Sequence, residues 1–299
     1  MLSDKTLEEQ AIRNDLDIIW HYTSKDVFTQ FVDGETGLYA TQYKFLNDSL
    51  EYEYGKLILH NLFPFINKSI DDEIAKEPDK RTGWENLKER WNSFDPTVND
   101  KWCNDIYILS FCQKPDMLYH WRSYTPEGGF CIGFSRKKMV ESLCAEIPSD
   151  KIDEYELFRI KQAECLPEEY YNVLISSCIY KKEEISSCIG ALLKNDEEYI
   201  IKKWQILFAL TKHPSFAIEN EIRLACFGHS LRKSLKIVGG KPRVPISGFE
   251  KGKVGDLIKA VFVSPHGDKE KNKYLAELLA EKHGFQWKVF NSELPYIGG

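Results

Sequence analysis

Strand and helix signals that alternate from one end to the other predict an α+β fold for this chain of 299 residues. Apolar, β-branched and aromatic runs at 18–23, 106–112 and 129–134 have the length and composition of strands. Between and after them, the stretches from 49 to about 65 and 271–282 carry apolar residues at helical spacing. With 42% of its residues apolar and 13% aromatic, the chain has ample material for a packed core, which argues against disorder. The length sits at the upper limit for one domain, and neither an internal repeat nor a low-complexity linker divides it. The predicted organisation is therefore a helical extension over 1–17 followed by a single domain over 18–299. That domain carries a helical insertion at about 67–99 and a helical region at about 136–212.

The elements follow in order. Residues 7–17 predict a short charged helix. Ile18-Ile19-Trp20-His21-Tyr22-Thr23 predicts a strand running into a Thr/Ser/Asp cap, with Val27, Phe28 and Phe31 marking the next helix. Gly34 and Gly37 bracket a turn before a second strand at 38–41. Asn47-Asp48 suits the cap of a helix in which Tyr52, Leu57, Ile58 and Leu62 recur. The charged insertion carries Trp84 and Trp91. After the strands at 106–112 and 129–134, propensity is largely helical from 136 to 203, clearest at 137–146 and 199–212, while 157–162 and 178–180 fit helix or strand. Pro214 ends the helix at 199–212. A basic, Gly-rich turn (Gly239, Gly240, Lys241, Arg243), a strand at 260–264, a helix at 271–282 between Asp268 and Gly284, and a strand at 285–290 complete the chain.

Charge and cysteine usage bound the function. The net charge of −6 gives no global pull toward nucleic acid, although a local basic groove stays open. Eight cysteines without C-x-x-C spacing fit reduced, buried thiols better than disulfides or a zinc site. The seven histidines show no metal-ligand spacing, so no metal is assigned. The start of the chain is not a signal peptide, and the apolar run 206–210 is far too short to span a bilayer. A soluble, cytoplasmic protein without membrane contact is the expectation.

The segment Ser215-Phe216-Ala217-Ile218-Glu219-Asn220-Glu221-Ile222-Arg223-Leu224 is the most informative. Its alternation predicts a half-buried strand, with Glu219, Glu221 and Arg223 on one face and Ile218, Ile222 and Leu224 toward the core. Two readings stay open: a solvated, ion-paired surface strand, or a pair of acids for a positively charged substrate or transition state.

An ordered set of motifs extends this segment. It comprises Trp20-His21-Tyr22-Thr23-Ser24, Leu46-Asn47-Asp48 with Glu51, Leu109-Ser110-Phe111-Cys112, Asp116 and Trp121-Arg122-Ser123-Tyr124. Cys131-Ile132-Gly133-Phe134, Glu219-Asn220-Glu221-Ile222-Arg223, Val263-Ser264-Pro265 and Ser292-Glu293-Leu294-Pro295-Tyr296 follow. From about Ile18 to Tyr296 this set resembles the bacterial family known as domain of unknown function 2971. That family in turn resembles distant ADP-ribosyltransferases, which implies a split β-sheet core of that type. Their strand-borne His or Arg, central Ser or Tyr, and E-x-E acids would match His21, Ser110 or Tyr124, and Glu219 with Glu221. The central motif departs, with Ser-Phe-Cys where many transferases carry Ser-Thr-Ser.

The resemblance implies NAD as substrate and a macromolecular acceptor, RNA, DNA or protein, in a toxin or phage-defence setting that can include an antitoxin. Glu221 would stabilise an oxocarbenium-like ribose, with Glu219 orienting or deprotonating the acceptor. His21 and Thr23 would meet ribose or phosphate, Tyr22 or Tyr124 would stack on nicotinamide, and Arg122 would clamp the pyrophosphate. Asn47, Asp48 and Glu51 would serve the target side, or only cap a helix. NAD glycohydrolysis, a catalytically inactive nucleotide sensor and a metal-dependent nuclease using Glu51, Glu219 and Glu221 are the competing readings. Packing is the plain alternative for His21 and for the Trp121/Tyr124 pair.

Overall fold

Two of the most apolar runs of the chain lie side by side within one sheet. A computed structural model describes residues 4–47, 49–76, 78–93, 104–143, 158–161, 170–181, 184–185, 200–246, 249 and 254–295. In it β1 (Ile18–Ser24) pairs antiparallel with β4 (Gly129–Ser135) along its whole length. Every residue of β4 is buried, as expected of a strand covered on both faces. Gly133 is required there: a Cβ at that position would stand 2.6 Å from the Trp20 ring packed over it. α1 (Asp4–Asn14) precedes β1. α2 (Lys25–Val32) follows at once, its first turn capped by the Ser24 hydroxyl accepting the Val27 amide.

The sheet branches at β3 (Ile106–Cys112). One edge of β3 pairs residue for residue with β7 (Glu221–Phe227), from Cys112 opposite Glu221 to Ile106 opposite Phe227. The other edge is shared. β1 meets it where Trp20 lies opposite Cys112, and β2 (Tyr39–Gln42) where Thr41 and Gln42 lie opposite Ile108 and Tyr107. From Leu109 to Phe111 neither strand pairs with this edge, so the sheet parts between β1 and β2.

Beyond β7 lie β6 (Tyr170–Ser177) and β5 (Phe158–Lys161). Beyond β2 lies the hairpin of β8 (Lys236–Val238) and β9 (Lys241–Pro245). On the far side, β4 pairs with β10 (Ile258–Val263), which runs parallel to β11 (Lys288–Asn291). The architecture is α+β, with the eleven strands of the described residues in one connected sheet.

Aromatic and aliphatic side chains including Phe28, Phe130, Phe134, Leu224 and Val261 form one core. Ile58, Ile106, Phe208, Leu210 and Phe227 form a second, to which α3 (Ser49–Lys76) and α7 (Ile200–Leu210) contribute. Among the described residues, no helix is long and apolar enough to cross a membrane. Cys112, Cys131, Cys178 and Cys226 are buried free thiols, their pKa values pushed up by burial.

Several elements differ from the sequence reading. α3 continues through Pro64 instead of ending near 65, because Ile66 and Ile70 carry its apolar stripe onward into full burial. α4 (Arg81–Ser93) packs back on it, with Asn67 Nδ2 donating to Asn92 Oδ1 at 2.9 Å. Within the region read as largely helical, 170–177 is a strand, since β7 offers β6 a free edge and Val173 and Ile175 fill the core behind it, and 158–161, left open between helix and strand, is a strand paired with β6. The basic turn is a hairpin: Gly239 and Gly240, both at positive φ (58° and 74°), make the two-residue reversal, and Lys241 and Arg243 stand on a strand. Asp268 and Gly284 do cap a helix, here α8 (Lys269–His283). The sequence-predicted helix at 137–146 is observed as α6 (Arg136–Leu143), with 144–146 outside the described residues.

Candidate active site

The acids are brought together by a sharp change of direction after α7. The chain passes Thr211-Lys212-His213, and Pro214 opens a 3₁₀ turn at Pro214–Glu219, where its missing N–H and fixed φ are no penalty. Asn220 then adopts the left-handed conformation (φ 44°), one of the few non-glycine residues that does so readily, and β7 starts at Glu221. The predicted strand over 215–220 is thus corrected to a 3₁₀ turn: Glu219 is not on the strand, and Ile218 is 56% exposed instead of in the core. From Glu221 onward the alternation holds, with Glu221 and Arg223 on one face and Ile222 and Leu224 on the other.

Glu219 and Glu221 are both buried and bridged by one cation. Lys212 Nζ donates to Glu219 Oε2 at 2.8 Å and to Glu221 Oε2 at 2.6 Å. Burial alone would lower the Lys212 pKa, but the two carboxylates outweigh it and hold the ammonium above its ordinary value. Arg223, completely buried, donates Nε to Glu221 Oε1 at 3.0 Å and Nη2 to Oε2 at 3.1 Å, and also pairs with Glu51. Its Nη1 donates to the Ala209 carbonyl at 2.6 Å, tying the network to the end of α7. Tyr119 Oη donates to Glu219 Oε1 at 3.1 Å, and the Glu221 amide donates to Tyr180 Oη at 2.9 Å. Among the described residues three carboxylates face two cations, so the cluster keeps one formal negative charge.

His21 stands on β1 at the parting of the sheet. Its Nδ1 lies 2.9 Å from the Ser110 carbonyl, an acceptor only, so the proton sits on Nδ1 and Nε2 holds the lone pair in the neutral ring. Burial pushes the His21 pKa down, and the positive charge of Arg243 adds to that. His120 on α5 (Leu118–Tyr124) is sandwiched between the Tyr22 ring (5.0 Å) and the Tyr124 ring (5.8 Å), and burial lowers its pKa as well.

Both imidazoles are therefore held neutral in the fold but bind protons with a pKa of about 6.5 when unfolded. Fewer protons bind to the native state than to the unfolded state below that value, so stability is complete above it and declines as pH falls. Thermal unfolding followed from pH 8 to pH 5 should show this decline beginning near pH 6.5, and His21→Gln and His120→Gln should each flatten it. Equal slopes in wild type and variants would contradict it.

One cleft of about 780 Å³ joins these parts. Strand parity sends the His21 side chain to the opposite sheet face from Trp20, Cys112 and Glu221, yet His21, Glu219 and Glu221 all line this cleft. Tyr22, Thr23, Ser110, Tyr124, Asn47 and Glu51 line it too. Their roles differ from simple ligand contact in places. Tyr22 Oη accepts the Met117 amide at 2.9 Å, and its ring is already stacked. Asn47 Oδ1 accepts from Lys241 Nζ at 2.6 Å. Glu51 is the buried partner of Arg223, not a free carboxylate on a target-facing rim. Asp48 lies outside the described residues.

Arg122 is a correction: it is exposed and does not line the cleft, because α5 turns Tyr119, His120, Ser123 and Tyr124 toward it. The expected core pair also divides, Trp121 being fully buried with Nε1 donating to Asp116 Oδ1 at 2.8 Å while Tyr124 is 39% exposed. Lys212, Tyr119 and His120 belong to no motif that marks them. The available signal is a lysine two residues before Pro214 that prolongs the apolar run 206–210, where a buried cation demands carboxylate partners.

The family comparison falls on this part of the molecule. Residues 120–224 match the family model described as "Protein of unknown function (DUF2971)". The match is shorter than the 18–296 stretch over which the motifs resemble that family, and it runs from the stacked His120 to the acid-bearing strand β7. No curated protein and no solved structure matches the chain. The segment that supplies His120, Lys212, both glutamates and Arg223 is thus similar to the DUF2971 family over about a third of the chain.

Proposed function

We propose that the cleft binds NAD and transfers ADP-ribose to a macromolecular acceptor. The observation that carries this reading is that His21 from β1 and the Glu219/Glu221 pair line one cleft at the parting of the sheet. Its volume of about 780 Å³ lies within the range of roughly 300–1,000 Å³ that small-molecule sites occupy. The division of β3's free edge between two strands also accords with the split sheet implied by the resemblance to ADP-ribosyltransferases.

In this reading the bond between ribose C1′ and the nicotinamide nitrogen breaks, and its electron pair leaves with nicotinamide. The ribose becomes oxocarbenium-like until an acceptor nucleophile adds and gives up its proton. The residual negative charge of the acid cluster favours that cation. Glu221, held in place by Arg223 and Lys212, is preorganised so that little reorientation accompanies the charge development. Glu219, fixed by Tyr119 and Lys212, takes the acceptor's proton. His21 Nε2 accepts from a ribose hydroxyl, and the exposed ring of Tyr124 offers a stacking face.

Incubation with radiolabelled NAD and cell lysate, followed by protease or nuclease digestion, tests the proposal and identifies the acceptor class. Glu221→Gln, checked for folding, should reduce label transfer by about a hundredfold or more. Undiminished transfer by a folded Glu221→Gln protein would sink it. Release of free ADP-ribose without transfer would mean glycohydrolysis instead.

A second reading, nucleotide binding without turnover, is favoured by the engagement of both Glu221 oxygens with Lys212 and Arg223. Calorimetry showing NAD binding by a protein that leaves NAD intact would select it.

A further inference from the structure

Charge in the cleft is answered on one wall and unanswered on the other. β9 sets Arg243 opposite Thr41 of β2, and Thr41 lies opposite Ile108 of β3. By this register Arg243 shares a sheet face with Ile108, Ser110, Arg223 and Glu221. Arg223 meets two carboxylates on that face, whereas Arg243 meets none among the described residues. The Nε of Arg243 is buried without a hydrogen-bond partner, and burial draws the guanidinium below its ordinary pKa. Lys241, two residues earlier on the same strand, also lines the cleft and, among the described residues, bonds the neutral Asn47 side chain alone.

Taking part of a cation out of water without a counter-charge is unfavourable, so a half-buried arginine in this state is poised for an anion. A guanidinium fork suits two oxygens of one phosphate, and a neighbouring ammonium adds a point charge. The opposite wall, with its net negative charge, disfavours an anion there and so fixes the ligand's direction.

We propose that Arg243, assisted by Lys241, is the phosphate subsite of this cleft and takes the pyrophosphate of a nucleotide ligand. The assignment of an anion subsite stands on the cleft geometry; only the identification of that nucleotide as NAD rests on the function proposed above. The ligand then lies across the parting of the sheet, anionic end on β9 and electron-poor end at the acids.

Inorganic pyrophosphate, titrated calorimetrically into the whole chain, is the probe. Wild type should bind it, more weakly as salt is raised. Arg243→Gln should weaken binding by about ten- to a hundredfold, the loss of charge-assisted hydrogen bonds, and Lys241→Gln by a smaller factor. Without ligand, Arg243→Gln should unfold at the same temperature as wild type or higher, because it removes a partly buried cation that meets no carboxylate among the described residues. A lower midpoint, equal pyrophosphate affinity in the folded variant, or no binding by wild type overturns the subsite. If pyrophosphate binds through Arg243 but NAD neither binds nor reacts, the subsite stands and the NAD reading falls. If Arg243→Gln handles NAD as wild type does, the subsite falls and that reading stands.

Discussion

Arg223→Met should destabilise the fold by about 3–5 kcal/mol, measured by chemical denaturation. Arg223 is fully buried and answers Glu51 and Glu221 at once, so the substitution removes a cation from two buried carboxylates and leaves Lys212 on Glu221. It also removes the donor that satisfies the Ala209 carbonyl at the end of α7. Arg223→Lys keeps the charge but cannot make the two-pronged contact with Glu221, and should fall between variant and wild type. A loss below about 1 kcal/mol would mean that the network relaxes around the missing guanidinium or admits water.

Trp121→Ala should be comparably severe, about 3–5 kcal/mol, for a different physical reason. The indole is fully buried, contacts the Tyr22 ring edge-on at 4.7 Å and donates to Asp116. Asp116 itself sits at a positive φ of 55° and accepts from Arg13 on α1 at 2.9 Å, so the indole anchors a strained turn as well as filling space. Removing it opens a cavity beneath Tyr22, the ring on which His120 stacks. Ligand binding in the cleft should therefore weaken along with stability. Trp121→Phe retains most of the packing and loses the N–H, so its smaller cost separates the two contributions. Similar costs for Ala and Phe would assign the effect to the Asp116 hydrogen bond.

The central strands were legible because their residues are buried on both faces: 106–112 and 129–134 read as continuous apolar runs and form β3 and β4. The cap residues Asp268 and Gly284 marked α8 for equally local reasons. The hairpin of β8 and β9 was half legible, since Gly239-Gly240 announces a reversal while Lys236 and Lys241 conceal the strands on either side. The acid-bearing segment misled because alternating residues after Pro214 fit either a strand or a tight 3₁₀ turn, and Asn220 was the cue to the change of direction. His21 and the glutamates were found by motif. The buried Lys212, the stacked His120 and the unanswered Arg243 depend on which strands neighbour one another, which no local pattern encodes.

The termini of the open sheet have a bearing on how this chain behaves in a crowded solution. β8 and β11 are only three and four residues long, and they begin with Lys236 and Lys288 respectively. Short outermost strands that present ammonium groups give a second molecule too few amides to pair with and too much like charge to approach. The strands of the described residues can thus remain unclosed without templating fibrils, and the interruption in their hydrogen-bonding beside Ser110 is left inside the fold, out of reach of a neighbouring copy.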